Sequence, residues 1–459
     1  MQAPFDLPTD LDTPLSAYLK LGPLRPRFLL ERGGGAERSA RFSFLGFGPA
    51  DEFELRGPAL LRNGEPFAPV HDPASLAAAL RQALASAPEF QPEERALPFH
   101  GGLVGVLGYE LVRRLERLAP ARATPFPELR LLAPHAVLVF DHARRTAALL
   151  ADGPPAARAA LRAEVRALLA GPLPPRPARG HVSPPRATLP RELFLERAAR
   201  VLAHIKDGDV YQLVLSSAFE GETDLAPLEL YRALRLTNPS PYMTLFEFDD
   251  LAVVGASPEA LVRVHAGRAT LQPIAGTRRR SSDEAEDRAL EAELRADPKE
   301  ASEHVMLVDL ARNDLGRVAR PGSVEVGPFR TVERFSHVMH LVSGVTGELD
   351  EGQDALDCLL ACFPAGTVVG APKVRAMQLL DELEPEARGL YAGSIGYLGH
   401  GGDLQQALLI RSLFLHGGRY RFQAGAGIVA ASRPEAEHDE ILAKSAAMVR
   451  ALELAAEGL

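Results

Sequence analysis

The sequence of 459 residues has little cysteine, which limits the scaffolds and sites that it can form. Two cysteines, Cys358 and Cys362, are too few for a fold built on disulfides. No histidine lies near them at the spacing of a metal-binding motif, so a zinc site is a poor interpretation. Their i, i+4 spacing instead predicts a small pair of buried thiols.

The sequence also lacks long apolar runs and an excess of positive charge. It has no run of about 18 apolar residues, the length that a membrane-spanning helix needs. The first residues lack the basic and apolar regions of a signal peptide, so we expect a cytoplasmic protein without membrane contact. The net charge of −9 argues against nucleic-acid binding through general positive charge. Hydrophobic residues at 46% and charged residues at 24% form an ordinary globular composition, which excludes wholesale disorder.

A proline-rich stretch gives the clearest boundary in the chain. Residues 171–190 hold prolines at a density that removes backbone donors and prevents a helix, so we predict an extended linker there. The linker divides an N-terminal part, residues 1–170, from a C-terminal part, residues 191–459, which we predict to begin with a helix over residues 191–206. Strand-like runs in both parts follow one another at hairpin spacing and do not alternate regularly with helices. This pattern favours an α+β fold with antiparallel sheets.

A segment predicted to be helical places acidic residues on its apolar face. In residues 300–314, Glu300 and Glu303 fall on the apolar stripe of the helix. A carboxylate in this position must be ion-paired, hydrogen-bonded or metal-bound, because burying an unpaired charge is costly. The spacing therefore predicts a partner for both acids.

The last helix repeats the pattern. It is predicted from about residue 434 to residue 454, with Glu437, Glu440 and Lys444 on one face. Oxygen ligands from two helices suit Mg²⁺, which usually takes one or two carboxylates and keeps several waters. Ordinary pairing of these acids with arginines is the alternative, and the spacing leaves both interpretations open.

Three further features are candidates for anion binding or proton transfer. Residues 423–428 are glycine-rich, so their backbone N–H groups could approach an anion, although a tight turn is the commoner outcome for such a motif. Arg411 lies in an apolar stretch predicted as a strand over residues 407–413, where it either faces solvent or meets a carboxylate. His340 is flanked by apolar residues, so it is either a hydrogen-bonded core residue or a group that titrates near neutral pH.

These motifs, in this order along the chain, resemble those of the chorismate-utilising enzymes, and most closely those of the large subunits of anthranilate synthases. The matching segments are residues 303–316, 363–377 and 423–429, with shorter N-terminal matches at residues 13–20, 28–31 and 41–46. The resemblance implies a single compact body in which antiparallel sheets pack between helices. It further implies that residues 191–459 bind chorismate and catalyse its conversion, while residues 1–170 pack on them as a regulatory part.

The resemblance also implies Mg²⁺ as cofactor and assigns roles to single residues. The residues that match metal ligands are Glu303, Glu440 and Glu437, the last of them through water. The residues assigned to catalysis are His340, Thr367 and Glu300. The residues that match substrate-binding positions are Gly276, Thr277, Tyr391, Arg411, Gly425, Ala426, Gly427 and Lys444. A substrate with two carboxylates needs a divalent cation, a guanidinium and backbone donors at once, which agrees with this set.

Two positions help to choose an activity within the family. Gln212 stands where relatives that add water carry a lysine base, and Ala275 stands where many aminodeoxychorismate synthases carry a lysine nucleophile. Both absences favour the conversion of chorismate and ammonia to anthranilate and pyruvate, the first step of tryptophan biosynthesis. The alternatives are component I of an aminodeoxychorismate synthase, in the folate branch, and a catalytically silent paralogue that senses a ligand. No glutamine amidotransferase module is recognisable, so we expect the ammonia to come from a separate amidotransferase subunit.

The resemblance finally implies a regulatory site, because enzymes of this kind are commonly inhibited by tryptophan. The matching positions are Glu31, Arg32, Asn238, Pro241, Tyr242 and Met243. Arg32 stands where serine is usual, and Gln405 stands where aspartate is usual. The bulk and charge of the arginine near the expected place of the inhibitor's ammonium predict a weakened inhibition by tryptophan.

Overall fold

The structure is a computed structural model, and it describes residues 7–32, 41–90, 97, 99–175, 179–334 and 338–459. Part of the predicted linker, residues 176–178, lies outside these ranges. None of the helices within them has the length and the apolar character that crossing a membrane requires.

Proline at the start of a helix recurs along the chain, at the position where its missing N–H would be unsatisfied in any case. Pro73, Pro298 and Pro434 are three examples, and Asp72 and Asp297 cap the first two of these helices through their side chains. The helices are α1 Pro14–Lys20, α2 Pro73–Ser86, α3 Pro155–Leu169, α4 Arg191–Lys206, α5 Pro227–Thr237, α6 Glu284–Ala296, α7 Pro298–Gly316, α8 Ala355–Cys362, α9 Lys373–Leu383 and α10 Pro434–Glu457. Short 3₁₀ turns lie at Gly22–Leu24, Tyr109–Arg114 and Gly366–Val368.

The strands are short, and most are joined by hairpins. In the N-terminal part they are β1 Leu7–Pro8, β2 Pro26–Glu31, β3 Phe42–Phe47, β4 Ala50–Arg56, β5 Ala59–Arg62, β6 Glu65–Pro69, β7 Gly102–Leu107, β8 Leu129–Pro134, β9 Ala136–Asp141 and β10 Thr146–Ala151. In the middle of the chain they are β11 Arg186–Ala187, β12 Gln212–Glu222, β13 Tyr242–Glu247, β14 Leu251–Ser257, β15 Ala260–His265, β16 Arg268–Leu271 and β17 Ile274–Arg279. The remaining strands are β18 Glu325–Val326, β19 Thr331–Arg334, β20 Val338–Val342, β21 Val345–Glu348, β22 Gly370–Ala371, β23 Ser394–Gly399, β24 Leu404–Leu408, β25 Ser412–His416 and β26 Arg419–Ile428.

These strands form two large sheets and one small sheet. The first large sheet has the order β1-β10-β9-β3-β2-β13-β14-β25-β26-β12-β11, with β22 also paired to β12. The second has the order β18-β21-β16-β15-β24-β23-β7-β8-β4-β5-β6, and the small sheet has the order β17-β20-β19. Neighbouring strands are antiparallel, as in the pairs β12–β26 and β7–β23. The predicted α+β fold with antiparallel sheets is therefore confirmed.

Strands from both sides of the predicted linker share the two large sheets. In the first sheet β2 pairs with β13, and Met243 lies opposite Glu31. In the second sheet β7 pairs with β23, and Tyr397 lies opposite Val104. The two parts are thus joined by continuous hydrogen-bonded ladders, and the division at residues 171–190 stays a prediction.

The strongly periodic helices follow the predictions, whereas one predicted strand is wrong. Helix α4 has the predicted bounds, and α7 and α10 cover the segments predicted for them. The stretch 407–413 is not one strand: β24 belongs to the second sheet and β25 to the first. Residues 409–411 carry the chain from one sheet to the other, and Arg411 adopts a left-handed backbone with φ of 50°. The apolar residues 407–410, which span the end of β24 and the start of the crossing, concealed this change of sheet.

The two cysteines lie together in helix α8, inside the core. Cys358 and Cys362 are both free thiols and 0% exposed. Leu356 and Leu359 on the same helix are also buried, so the thiols pack as small apolar side chains. The prediction of a buried pair is confirmed.

Candidate active site

The predicted site residues gather where the chain passes between the two large sheets. Glu259 lies in the first crossing, between β14 and β15, and Arg411 lies in the second, between β24 and β25. The backbone N–H of Leu408 donates to the carbonyl of Glu259 at 3.0 Å, and that of Ala256 donates to the carbonyl of Arg411 at 3.1 Å. The two crossings therefore run side by side and are fixed to each other through the backbone.

Arg411 is a guanidinium that has no hydrogen-bond or ion-pair partner among the residues that the structure describes. Its side chain is only partly exposed, and among the described residues it forms neither a hydrogen bond nor an ion pair. Burial lowers the pKa of the guanidinium, because the cation loses hydration that nothing in the protein replaces. Of the two interpretations left open for this residue, pairing with a protein carboxylate is absent from the described chain. The arrangement suits binding of an anion that the protein itself does not contain.

His340 lies near Arg411 on strand β20, against an irregularity in β17. The register of β17 shifts between Ala275 and Arg278, and Gly276 there has φ of 66°. Its carbonyl faces the ring of His340, whose Nδ1 donates to it at 2.9 Å and lies 3.1 Å from the hydroxyl of Thr277. The bulge thus fixes the imidazole by its Nδ1 side, which leaves the basic lone pair on Nε2 in the neutral ring.

The protonation state of His340 follows from its surroundings. The side chain is buried, and burial lowers the pKa of the imidazole. The hydrogen bond to Gly276 opposes this shift, and the positive charge of Arg411 adds to it. At neutral pH the ring is therefore neutral and able to accept a proton, which is the state that a general base needs.

The glycine-rich segment is part of a strand, so its expected form as a tight turn is wrong. Gly425 and Gly427 lie within β26, opposite Ser216 and Val214 of β12. They are needed for close approach: a Cβ on Gly425 would lie 2.7 Å from the hydroxyl of Tyr391. The side chain of Ala426 points into the core with 0% exposure, so that residue can offer only its backbone to a ligand.

Gly427 marks the place where β26 meets helix α7. A Cβ on Gly427 would lie 2.7 Å from Nε2 of Gln212 and 3.7 Å from Oε1 of Glu303. Gln212 itself donates from Nε2 to Oε1 of Glu303 at 2.9 Å. The structure therefore brings three of the sequence-derived residues into direct contact.

The surroundings of Glu303 disfavour the charged form of its carboxyl. Burial raises the pKa of its carboxyl, and the negative charges of Glu300 and Glu440 raise it further. Glu440, on α10, is half exposed and pairs with Lys444 at 2.7 Å. The acids of the two helices thus lie close enough to repel each other, as the two apolar stripes predicted.

The other residues of this acidic group have protein partners as well. Lys444 donates to the carbonyl of Gly425 at 2.9 Å, which links α10 to the glycine-rich strand. Glu437 is buried, and burial raises the pKa of its carboxyl. Glu300 lies 3.5 Å from Nη1 of Arg278. Each of the predicted acids therefore combines partial burial with at least one neighbouring charge.

These residues fit a small divalent cation only in a restricted way. Over the described ranges, no three or more histidine, cysteine, aspartate or glutamate side chains are arranged as a ready metal cage. Glu303 and Glu440 nevertheless offer carboxylate oxygens from two helices, and Glu303 has a raised pKa that a cation would relieve. Mg²⁺ binds through one or two carboxylates and substrate oxygens, so this donor set fits it.

Glu259 is a candidate that the sequence interpretation missed. It lines a small pocket, of about 30 Å³, together with Thr367, whose hydroxyl donates to its Oε1 at 2.9 Å. Burial raises the pKa of the Glu259 carboxyl to about 7, against a lowering by that hydrogen bond and by the charge of Lys444. The available signal was an acid two residues beyond a fully buried strand, where the chain must turn. Without the sheet topology this acid looks like an ordinary loop residue.

The residues expected to bind tryptophan form a second cluster, at the junction of β2 and β13. Glu31 accepts a hydrogen bond from the hydroxyl of Tyr231 and pairs with Arg235 at 3.2 Å. Arg32 donates to the side-chain oxygen of Gln405, and its guanidinium lies 5.6 Å from the centre of the Tyr242 ring. The two residues that depart from the family pattern therefore bind each other.

The remaining members of this cluster lie on the approach to β13. Met243 is buried in that strand opposite Glu31. Asn238 ends helix α5, Pro241 directly precedes β13, and the side-chain nitrogen of Asn238 is buried without a hydrogen-bond partner. The segment thus leads straight into the strand that carries Tyr242 and Met243.

The chain belongs to the family of chorismate-binding enzymes, because a family model with the description "chorismate binding enzyme" matches residues 25–450. Anthranilate synthase component 1 of Thermus thermophilus is 45% identical over 461 residues, covering 98% of this chain and 97% of the relative. The component 1 of Pseudomonas aeruginosa is 40% identical over 477 residues, covering 99% and 96%. The crystal structure of anthranilate synthase component I from Streptococcus pneumoniae has a TM-score of 0.80 at 35% identity, covering 90% of this chain and 93% of that chain.

Proposed function

We propose that this protein is the synthase component of an anthranilate synthase, which converts chorismate and ammonia to anthranilate and pyruvate. The observation that carries the proposal is the guanidinium of Arg411, which has no partner within the described ranges, beside a neutral His340 at a crossing between two sheets. Such a cation suits a carboxylate of the substrate, and the backbone of Gly425 and Gly427 offers further polar contacts next to Tyr391. Relatives of 40% to 45% identity over nearly the whole chain bear the same name.

In the first step of the proposed reaction, ammonia adds at C2 of the ring and the ring hydroxyl leaves. Glu259 is suited to protonate that hydroxyl, because a carboxyl with a pKa of about 7 still holds its proton in much of the protein at neutral pH. Thr367 orients the carboxyl through its hydrogen bond. The products of this step are an aminodeoxyisochorismate intermediate and water.

In the second step the intermediate loses pyruvate and the ring becomes aromatic. His340 is the group suited to move the proton from C2, since its Nδ1 is held by Gly276 and its Nε2 keeps the lone pair. The low pKa of the buried ring keeps it unprotonated at the start of this step. Its position near Arg411 places the base beside the bound anion.

The choice of ammonia as nucleophile rests on Gln212. An amide cannot deprotonate water, and this one donates its N–H to Glu303 at 2.9 Å. Ala275, at the other position that separates activities, is a buried alanine without an amine for covalent attack. Component I of an aminodeoxychorismate synthase, the alternative product class, is not favoured by the names of the relatives.

We further propose that Mg²⁺ is bound by Glu303 and Glu440, with Glu437 nearby. When bound, the ion would neutralise the acidic group and a carboxylate of the substrate. The protein's part is to aim the two glutamates from α7 and α10 toward the glycine-rich strand, and Lys444 ties α10 to that strand at Gly425.

The source of ammonia and the compartment are part of the same proposal. The relatives are named component 1, which supports the expectation of a second component. We take that partner to be a glutamine amidotransferase subunit that supplies ammonia in the cytoplasm. The chain alone should then use ammonium salts but not glutamine.

One assay tests this proposal. The purified chain is incubated with chorismate, Mg²⁺ and ammonium chloride, and the product is identified by fluorescence and by chromatography against ortho- and para-aminobenzoate. The expected product is the ortho isomer, with no product when glutamine replaces ammonium. A para product would establish the folate-branch alternative, and chorismate binding without turnover would establish a silent ligand sensor.

We also propose that tryptophan binds weakly at the cluster of Glu31, Arg32, Tyr242 and Met243. Glu31 supplies a carboxylate for an ammonium group, but it is already paired with Arg235. Arg32 fills space over the Tyr242 ring and is held there by Gln405. An inhibitor must therefore displace contacts that the protein makes with itself, which lowers its affinity.

A further inference from the structure

A buried ion pair between Glu384 and Arg388 lies behind the proposed active site. Nε and Nη2 of Arg388 donate to the two carboxylate oxygens of Glu384, each at 2.7 Å. The two side chains are 4% and 2% exposed, so the pair is removed from solvent. Removing only one partner of such a pair is destructive, because the other charge stays buried alone.

Arg388 uses its remaining donors to bind backbone next to the site. Nη1 donates to the carbonyl of Val368, the residue after Thr367, at 2.7 Å. Nη2 donates to the carbonyl of Val214, in the strand that begins with Gln212, at 2.7 Å. A single guanidinium thus fixes two of the segments that carry proposed site residues.

The same guanidinium stacks against the ring of a proposed substrate-binding residue. Its centre lies 5.5 Å from the ring centre of Tyr391 and 5.0 Å from that of Tyr109, on two aromatic rings at once. Tyr391 is buried, and its hydroxyl reaches the place where a Cβ of Gly425 would be. The position of that hydroxyl in the site therefore depends on a ring that rests against Arg388.

Glu384 extends the network to the glycine-rich strand. Its Oε1 accepts from the backbone N–H of Ser216 at 3.0 Å and from the hydroxyl of Ser216 at 2.6 Å. That hydroxyl in turn accepts from Nε2 of Gln423, two residues before Gly425, at 2.8 Å. The segments of Thr367 and Tyr391 and the glycine-rich strand are therefore each one or two contacts away from this pair.

We propose that Arg388, held by Glu384, is a positioning residue that sets Tyr391 and the segment of Thr367 around the substrate. The inference rests on the proposed function, since it takes Tyr391 and Thr367 to contact chorismate. Arg388 does not touch the substrate itself; it acts through the ring of Tyr391 and the carbonyls of Val214 and Val368.

The test uses the double variant Glu384→Gln with Arg388→Met, which removes both charges and so leaves neither one buried alone. We expect kcat/KM for chorismate to fall by about 10- to 100-fold, a loss typical of misplaced binding groups, while KM for ammonium stays unchanged. The control is Glu220→Gln with Arg421→Met. Arg421 also bonds a carboxylate, at 2.9 Å, and the carbonyl of Ala387, but neither partner is a proposed site residue. Equal kinetics for the two double variants would overturn the proposal.

A second variant separates positioning from simple charge or folding effects. Arg388→Lys keeps the charge for Glu384, but one ammonium cannot reach Glu384, Val214 and Val368 as the guanidinium fork does. We expect this variant to fold, with a thermal midpoint somewhat below that of the wild type because buried carbonyls lose a donor, and to show the same fall in kcat/KM for chorismate as the double variant. Recovery of wild-type kcat/KM with lysine would mean that only the charge matters, and the proposal would be wrong.

A double-mutant cycle with Tyr391→Phe tests whether Arg388 acts through that ring. If it does, the loss from Tyr391→Phe should be much smaller in the Glu384→Gln, Arg388→Met background than in the wild type. Independent, multiplicative losses contradict the proposal, and so does an unchanged kcat/KM in Tyr391→Phe alone. Absence of wild-type turnover would count against the proposed function; chorismate binding measured by calorimetry then carries the same cycle.

Discussion

Two arginines of this chain, Arg411 and Arg32, differ in the partners that surround their guanidinium groups. Arg411 is largely enclosed and has no hydrogen-bond or ion-pair partner in the part of the chain that the structure describes. Arg32 donates to Gln405 and lies over the ring of Tyr242. An enclosed cation without a partner costs folding free energy, so its presence indicates a ligand that supplies the missing charge. A cation with protein partners on all sides indicates a site that the protein has already filled.

The largest effect is expected from replacing Arg411, the arginine without a partner among the described residues. Arg411→Met removes the cation proposed to hold a substrate carboxylate, so kcat/KM should fall by about 10²- to 10³-fold, as for other lost charge stabilisers. Because the guanidinium has no partner within the described residues, the thermal midpoint should stay unchanged or rise. Scanning calorimetry and steady-state kinetics measure the two quantities. A fall in stability as large as the fall in activity would mean that Arg411 is structural.

The second prediction concerns the acidic group that faces the same site. Glu303→Gln and Glu440→Gln should each abolish Mg²⁺-dependent turnover, since loss of several kcal/mol of charge stabilisation is about 100-fold or more in rate. Burial raises the pKa of Glu303, so in chelator Glu303→Gln should be at least as stable as the wild type. Asp309→Asn on the exposed face of α7, where Asp309 pairs with Arg312, is the control. Full activity of the Glu303 or the Glu440 variant defeats the metal assignment.

The third prediction separates binding from proton transfer. His340→Ala should keep chorismate affinity, which Arg411 provides, and lose about 10²- to 10⁴-fold in kcat, the range for a positioned acid or base. Titration calorimetry with chorismate and turnover with ammonium measure the two effects. Unimpaired turnover would remove His340 from the mechanism.

A pH dependence follows from Glu259. With a pKa of about 7 the carboxyl loses its proton as pH rises through 7, so wild-type kcat should fall on that alkaline side. Glu259→Gln should have lower activity and lack this limb, because the amide cannot donate an acidic proton. The free energy of unfolding should change with pH in the same direction as kcat. The folded protein holds a proton that the unfolded chain releases near its ordinary pKa of about 4.5, so this contribution is lost as pH rises toward 7. A profile without an inflection near 7 contradicts the role.

The smallest effect is expected from replacing Arg32, the arginine that has protein partners. Arg32→Ser, combined with Gln405→Asp, should tighten tryptophan binding by about tenfold, or about 1.4 kcal/mol, because a filled position is opened and a positive charge is removed. Arg62→Ser is a control, since Arg62, like Arg32, lies over an aromatic ring and bonds a neighbouring side chain, in its case Asp51. The protein contains no tryptophan, so added tryptophan can be followed by its own fluorescence as well as by calorimetry. Equal affinity in the wild type and the double variant would show that Arg32 does not fill the site.

The sequence predicted best those parts that depend on periodicity. The apolar stripes of α4, α7 and α10 predicted helices whose bounds agree within a few residues, because a helix repeats the same choice every turn. The same stripes predicted that Glu303 and Glu440 face the interior; the charge of Glu440 acts on the carboxyl of Glu303, but Glu440 itself is half exposed. The identity of a metal remains a prediction.

The parts that could not be predicted depend on which sheet a strand joins. Residues 407–410 are all apolar and run from β24 into the crossing, so the end of β24 has no local signal. The glycines of β26 are typical of a turn in the sequence alone, and only the structure shows that they make room for Tyr391 and Gln212. Glu259 was missed for the same reason, since an acid after a strand gains meaning only when a pocket closes around it.

The pairing of the two crossings has a consequence for how the enzyme can be tuned. Since Leu408 bonds to Glu259 and Ala256 bonds to Arg411 through the backbone, the proton donor and the anion holder form one rigid unit. The backbones of these two residues cannot move apart without breaking those bonds. An effector that loosens this unit would slow chemistry and weaken substrate binding together, so inhibition should be visible in kcat and KM at once.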